Sequence, residues 1–206
     1  VNVQIDTIEL HVSSAITIGS DSRIDRLWTT AQVADWADEH AGERIAWLWF
    51  VSVPFDECNG WDECDADSGD LEAVASALWK NNGDWRDEFL EKYGEAWTGE
   101  RVLILDRAQL EEDFRGHGLG AIIIGHAIKQ LRAGVSIVAC YPYPIDKDRA
   151  DDDSEEADAK NRASAAKIAK VYESIGFEDW RNGVWVLDMN SELLDKKLAG
   201  LQDAWN

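Results

Sequence analysis

The 206-residue chain is 45% hydrophobic, enough to bury a core, and most economically forms one α/β domain over residues 1–206. No run approaches the roughly 20 apolar residues of a membrane helix, and the start Val1-Asn2-Val3-Gln4 has no basic segment followed by an apolar one, so a cytoplasmic protein without a membrane partner is expected. A net charge of −21, from 41 acidic against 20 basic residues, argues against a nucleic-acid partner, because phosphate binding needs clustered base.

The acid is spread along the whole chain, which suits a solvated surface adapted to salt; the competing reading is a funnel for a cationic acceptor. Cys58, Cys64 and Cys140 cannot all pair with one another, so a reducing compartment is expected. Cys58 and Cys64 have no second Cys or His pair near them, and no metal site is expected.

In chain order, Thr7 to Thr17 reads as extended, and Val33, Trp36, Ala37 and His40 fall on one face of a helix. Arg44 to Val53 is a continuous apolar and aromatic run that suits a strand covered on both sides. The acidic stretch Phe55 to Asp70 is read as a polar turn; within it, Asp65-x-Asp67-x-Gly69-Asp70 fails as a calcium loop, having Gly69 and Asp70 where an oxygen ligand and a glycine are needed. Leu71 to Trp79 and Trp85 to Tyr93 read as short helices, and the tryptophans as core and helix-packing residues.

Val102 to Leu105 is a buried strand, Leu119 to Leu131 has helical apolar spacing, and Val135 to Cys140 is a second β-rich run. The acidic segment 146–162 cannot bury itself and is expected at the surface, as a loop insertion or the frayed start of a helix. A helix through Ala163 to Ile175, a turn at Gly176 and a strand Val184 to Asp188 follow; residues 191–205 read as a terminal helix capped by Ser191.

Chemistry concentrates in Arg115-Gly116-His117-Gly118-Leu119-Gly120, which precedes an apolar helix. Its glycines let the backbone approach an anion while the free N–H groups of a helix start donate to it. Gly116, Gly118 and Ala121 also satisfy a degenerate dinucleotide fingerprint, but the charged stretch Asp106 to Arg115 separates the loop from Leu105, whereas a dinucleotide glycine follows its strand almost at once. No Walker lysine follows, and no nucleophile elbow is present.

The segment resembles motif A of the GNAT (Gcn5-related N-acetyltransferase) superfamily, with Arg115, Gly118 and Gly120 in its three fixed places, and Leu110 and Phe114 in its apolar and aromatic places. Lys167 to Phe177, KIAKVYESIGF, is similar to that family's motif B. The resemblance spans Arg101 to Asp188 and departs from the family at Ala165, where many members carry a cofactor-contacting Asn, and at Glu112, where a Pro is usual. It implies a mixed, mostly antiparallel sheet flanked by helices, with a cofactor-binding core over about 101–188.

The same resemblance implies that acetyl-CoA binds with its pyrophosphate on the amides of Gly116, His117, Gly118, Leu119, Gly120 and Ala121, beside Arg115, and its pantetheine along Ala108 to Leu110. The thioester would sit where two parallel strands splay, with Tyr172 as the acid for the departing thiolate and a primary amine of unknown identity as acceptor. The base is left open among Asp106, Glu111, Glu112 and a water chain; His117 and His126 receive no catalytic role, and Cys140 either lines the acceptor pocket or is an inert buried thiol. The alternative function is a non-catalytic, regulatory CoA-binding module, and the family often forms dimers.

Overall fold

The structure is a computed structural model that describes residues 7–15, 24–34, 41–55, 60–65, 69–94, 98–145 and 155–205. Seven strands form one sheet: β1 (Ile8–Ala15), β2 (Asp25–Val33), β3 (Arg44–Pro54), β4 (Arg101–Leu110), β5 (Val135–Cys140), β6 (Glu178–Arg181) and β7 (Val184–Asp188). Their order across the sheet is β1-β2-β3-β4-β5-β7-β6. Every neighbouring pair is antiparallel except β4 and β5, which run parallel. The helices are α1 (Gly60–Asp65), α2 (Gly69–Leu78), α3 (Asp87–Tyr93), α4 (Leu119–Leu131), α5 (Glu155–Ser174) and α6 (Leu193–Trp205). The mixed, mostly antiparallel sheet flanked by helices is therefore as expected.

Two apolar clusters cover the two faces. On one, Leu48, Phe50, Leu103, Leu105 and Val138 pack with Leu119, Ile123 and Ile128 of α4, Tyr172 of α5 and Leu198 of α6. On the other, Val51, Val53, Val102, Ile104 and Ala139 pack with Leu71, Val74 and Leu78 of α2 and Phe89 of α3. Central strands buried on both sides read as unbroken apolar runs, which is why β4 and β5 were visible in the sequence. Trp79, Trp85 and Phe89 extend the second cluster as a chain of rings with centroids 4.8 and 5.4 Å apart.

Helix α6 lies against α4 at Gly125, where an added Cβ would sit 2.5 Å from Leu198 Cδ2. Alanine at that position gains about 0.5–1 kcal/mol of helix propensity but overpacks a contact whose relief costs about 1–3 kcal/mol. Gly125→Ala is expected to lower Tm by several degrees in calorimetry; a rise would show that the two helices do not depend on this approach.

Several expectations are corrected. Val33 ends β2, fully buried, instead of opening a helix; Trp36, Ala37 and His40 lie outside the described residues. The stretch read as a polar turn contains α1 and the start of α2, and Cys64 of α1 is wholly buried; Cys58 and Asp67 lie outside the described residues. Strand β4 runs on through Asp106 to Leu110, because Arg107 to Leu110 keep pairing with β3.

Helix α5 starts at Glu155, within the acidic segment, where Glu155, Glu156 and Asp158 suit the positive end of the helix dipole. Residues 146–154 lie outside the described residues. The hairpin β6–β7 was missed as a pair: Asn182 and Gly183, at φ 52° and 80°, form the tight turn that an Asn-Gly pair favours.

Candidate functional site

The pairing of β4 with β5 ends at Leu105↔Cys140, while β4 continues to Leu110 with β3 as its partner. The parallel strands thus part at their carboxyl ends, the place where open sheets receive ligands. A bulge marks the same point: Phe50 faces Leu105 and Trp49 faces Arg107, so Asp106 is the extra residue. Its side chain is 12% exposed, with Oδ2 3.8 Å from Arg107 Nε.

From the end of β4 the chain turns through a short 3-10 segment, Glu112–Phe114, pinned by the buried ring of Phe114. Arg115 Nε then donates to Leu110 O at 3.0 Å, tying the loop to the strand end. Gly116 and Gly118 take φ of 81° and 77°, in the left-handed region that side chains rarely adopt. An added Cβ would meet nothing within 4 Å at Gly116 and only the Trp205 ring, 3.6 Å away, at Gly118.

Arg115, Gly116, His117 and Gly118 are all exposed, and Gly118 is the N-cap of α4 with no side chain capping its amides. The first N–H groups of that helix have no intrahelical acceptor, and the helix dipole there favours an anion. Leu119 and Ala121 turn their side chains into the core. At Gly120 the added Cβ would lie 3.6 Å from Leu110 and 3.9 Å from Val171, so the end of β4, the start of α4 and the last turns of α5 converge there.

Tyr172 follows Val171 and is 6% exposed, tilted against Phe177 with centroids 5.4 Å apart. Burial, and then the neighbouring Cys140 sulfur, push its phenol well above the ordinary tyrosine range. Cys140 is wholly enclosed, and burial likewise raises its thiol, so it stays protonated. The turn after α5 closes through Gly176 at φ 103°, as the sequence indicated.

The structure therefore brings Arg115 to the Leu110 carbonyl, Gly120 beside Leu110 and Val171, and Tyr172 into the core near Cys140, the last β5 residue paired with β4. It also separates the three candidate acids. Glu111 Oε1 is held by Arg44 at 2.8 and 3.0 Å, and Glu112 is exposed on the 3-10 segment. Asp106 alone of the three stands at the parting of the strands. Its signal in the sequence was the break it makes in the alternation of Leu103 to Leu110, which marks a bulge.

His126 is distant from this chemistry: it lies on α4 facing Gln202 Nε2 at 3.0 Å, with its pKa lowered by burial and then by Lys129. A cleft of about 280 Å³ lined by Thr98, Gly99, Arg132, Gly134 and Met189 lies at the opposite, amino ends of β4 and β5 and contains none of the expected site residues. Among the described residues no helix is long and apolar enough to cross a membrane.

No family model and no curated protein matches the chain. Among solved structures it is similar to AtaT complexed with acetyl-methionyl-tRNAfMet, at 13% identity and TM-score 0.40, covering 84% of this chain and 75% of that one. It is also similar to a tyrosine-to-phenylalanine mutant of KacT, at 9% identity and TM-score 0.35, covering 88% of this chain and 75% of that one. The first of these corrects the exclusion of nucleic acid drawn from net charge, since that neighbour is a tRNA complex. Net charge averages over the surface, whereas phosphates and bases are met by local groups, so −21 does not exclude such a partner.

Proposed function

We propose that this chain is an acetyl-CoA-dependent N-acyltransferase of GNAT type, acting on a primary amine. The observation that carries this reading is the convergence at one opening of three features: the parting of β4 and β5 at Leu105↔Cys140, the bulge at Asp106 and the left-handed glycine loop capping α4. The motif resemblance implied the strand opening and the loop together.

The residues present fit the cofactor. The exposed loop has space at Gly116 where a side chain would otherwise stand, and the amides of Gly116 to Ala121 offer donors to a diphosphate, with Arg115 beside them. Ala108 and Leu110 lie on the stretch of β4 beyond its pairing with β5 and would hold the pantetheine arm. Acetyl-CoA, when bound, supplies an acyl group activated as a thioester.

The chain's own residues then move protons. As the amine nitrogen bonds to the carbonyl carbon, Asp106 accepts its proton, directly or through one water. As the carbon–sulfur bond breaks, the Tyr172 hydroxyl gives its proton to the sulfur; the phenol's raised pKa keeps that proton in place through neutral pH. The products are an amide and a free thiol, and the proton on Asp106 returns to Tyr172 through solvent.

Incubation with acetyl-CoA and a panel of amines, followed by free-thiol release, tests the reading. An amine-dependent release with no NAD(P)H absorbance change is expected. Asp106→Asn should lower kcat/KM on the order of 10²-fold. Cofactor binding with no release across the panel would favour a regulatory CoA-binding module, and an unchanged kcat/KM in Asp106→Asn would remove it as the base.

A further inference from the structure

On the face of the sheet opposite Tyr172, the outer halves of β2, β3 and β4 carry a row of aromatic and basic side chains. Leu48 and Phe50 point into the cluster beneath α4, so Trp47 and Trp49 point the other way. The register aligns Ser13, Trp28, Trp49 and Arg107 in one row across β1 to β4, and His11, Thr30, Trp47 and Gln109 in the next. Trp28, Trp47 and Trp49 belong to neither apolar cluster. The expectation that β3 is covered on both sides thus holds only for its second half, and the tryptophans are not all core.

Trp49 is 41% exposed, its ring 5.2 Å from that of Trp47 and 5.8 Å from the Arg107 guanidinium. An exposed tryptophan beside a second, half-buried one marks a binding surface, because burial of that ring elsewhere would be more favourable. In a chain with twice as many acids as bases, the row nearest the opening ends in arginine, and Arg26 stands on the same face of β2. A cationic ligand would meet Arg107 already over the best ring; an anion with flat rings meets both groups favourably.

We propose that this face binds unpaired nucleotides of a nucleic-acid strand, with bases stacked on Trp49 and Trp47 and a phosphate on Arg107. Bases stack on aromatic side chains regardless of sequence, and an arginine beside them holds the backbone. Arg107 adjoins Asp106, so a strand seated there presents its end to the opening between β4 and β5. The link to catalysis rests on the proposed function; the binding itself does not, and is read without acetyl-CoA.

The test is fluorescence anisotropy of fluorescein-labelled octa-adenylate titrated with the full chain at several salt concentrations. Saturable binding that weakens with salt is expected. Trp49→Ala should weaken it about tenfold or more, Trp49→Phe should retain most of it, and Arg107→Gln should reduce the log–log salt slope by about one. Tm of each variant is measured alongside, and Trp49→Phe, which keeps a ring beside Trp47, separates lost stacking from lost fold. Absence of saturable binding at low salt, or equal affinity in Trp49→Ala, overturns the proposal. So does a change of oligomeric state in Trp49→Ala by light scattering, which would make the face a contact between copies of the chain. Failure of thiol release with intact oligonucleotide binding would count against the acyl-transfer reading alone.

Discussion

Tyr172→Phe is expected to lower kcat on the order of 10²-fold while leaving acetyl-CoA affinity within about twofold. The substitution keeps the ring that packs on Phe177 in the core and removes only the hydroxyl, so the packing contribution survives. A purely structural tyrosine would show the opposite balance, with Tm reduced and turnover per folded molecule kept.

The raised pKa supplies a second readout. A phenol whose folded pKa lies above its unfolded value of about 10 contributes stability that is full below that value and is lost as pH rises through the folded pKa. Wild-type protein should therefore lose stability on the alkaline side more steeply than Tyr172→Phe. Wild-type kcat in the variant, under conditions where chemistry limits the rate, would leave protonation of the thiolate to water.

Gly118→Val is expected to abolish the stabilisation that acetyl-CoA gives. Ligand at a hundred times its Kd stabilises by about 2.7 kcal/mol, which for a chain of this size raises Tm by roughly 5–10 °C. Valine at φ 77° is strained by about 1–3 kcal/mol, and its side chain would lie toward the Trp205 ring and the exposed amides. The loop must therefore move, and the amides of α4 cease to converge. NAD and ATP should give no rise in wild-type protein. A full acetyl-CoA shift in Gly118→Val, with Tm of the free variant measured alongside, would remove the loop as the anion site.

Much of residues 101–188 was legible because local signals and tertiary demands agree there. Val135 to Cys140 is apolar throughout since both its faces are covered, and the glycine loop announces itself because left-handed backbone excludes most other residues. The resemblance to motif B singled out Tyr172, which the fold buries in the core against Phe177.

The rest was opaque for physical reasons. Asp106 looked like one carboxylate among many, since a bulge depends on the partner strand and leaves only a skipped alternation behind. Trp49 looked like core because an exposed tryptophan and a buried one have the same letter; only the register with Leu48 and Phe50 turns it outward. Net charge is a poor guide to partners because it carries no information on where the arginines stand.

The central claim, that acetyl-CoA lies between the end of β4 and the start of α4, is tested most directly by amide hydrogen exchange read by mass spectrometry with and without acetyl-CoA. Slowed exchange is expected in peptides covering Ala108 to Leu110 and Gly116 to Ala121, with little change across β1, β2 and the cleft at Thr98 and Arg132. Protection confined to that cleft, or none at saturating acetyl-CoA, would contradict it.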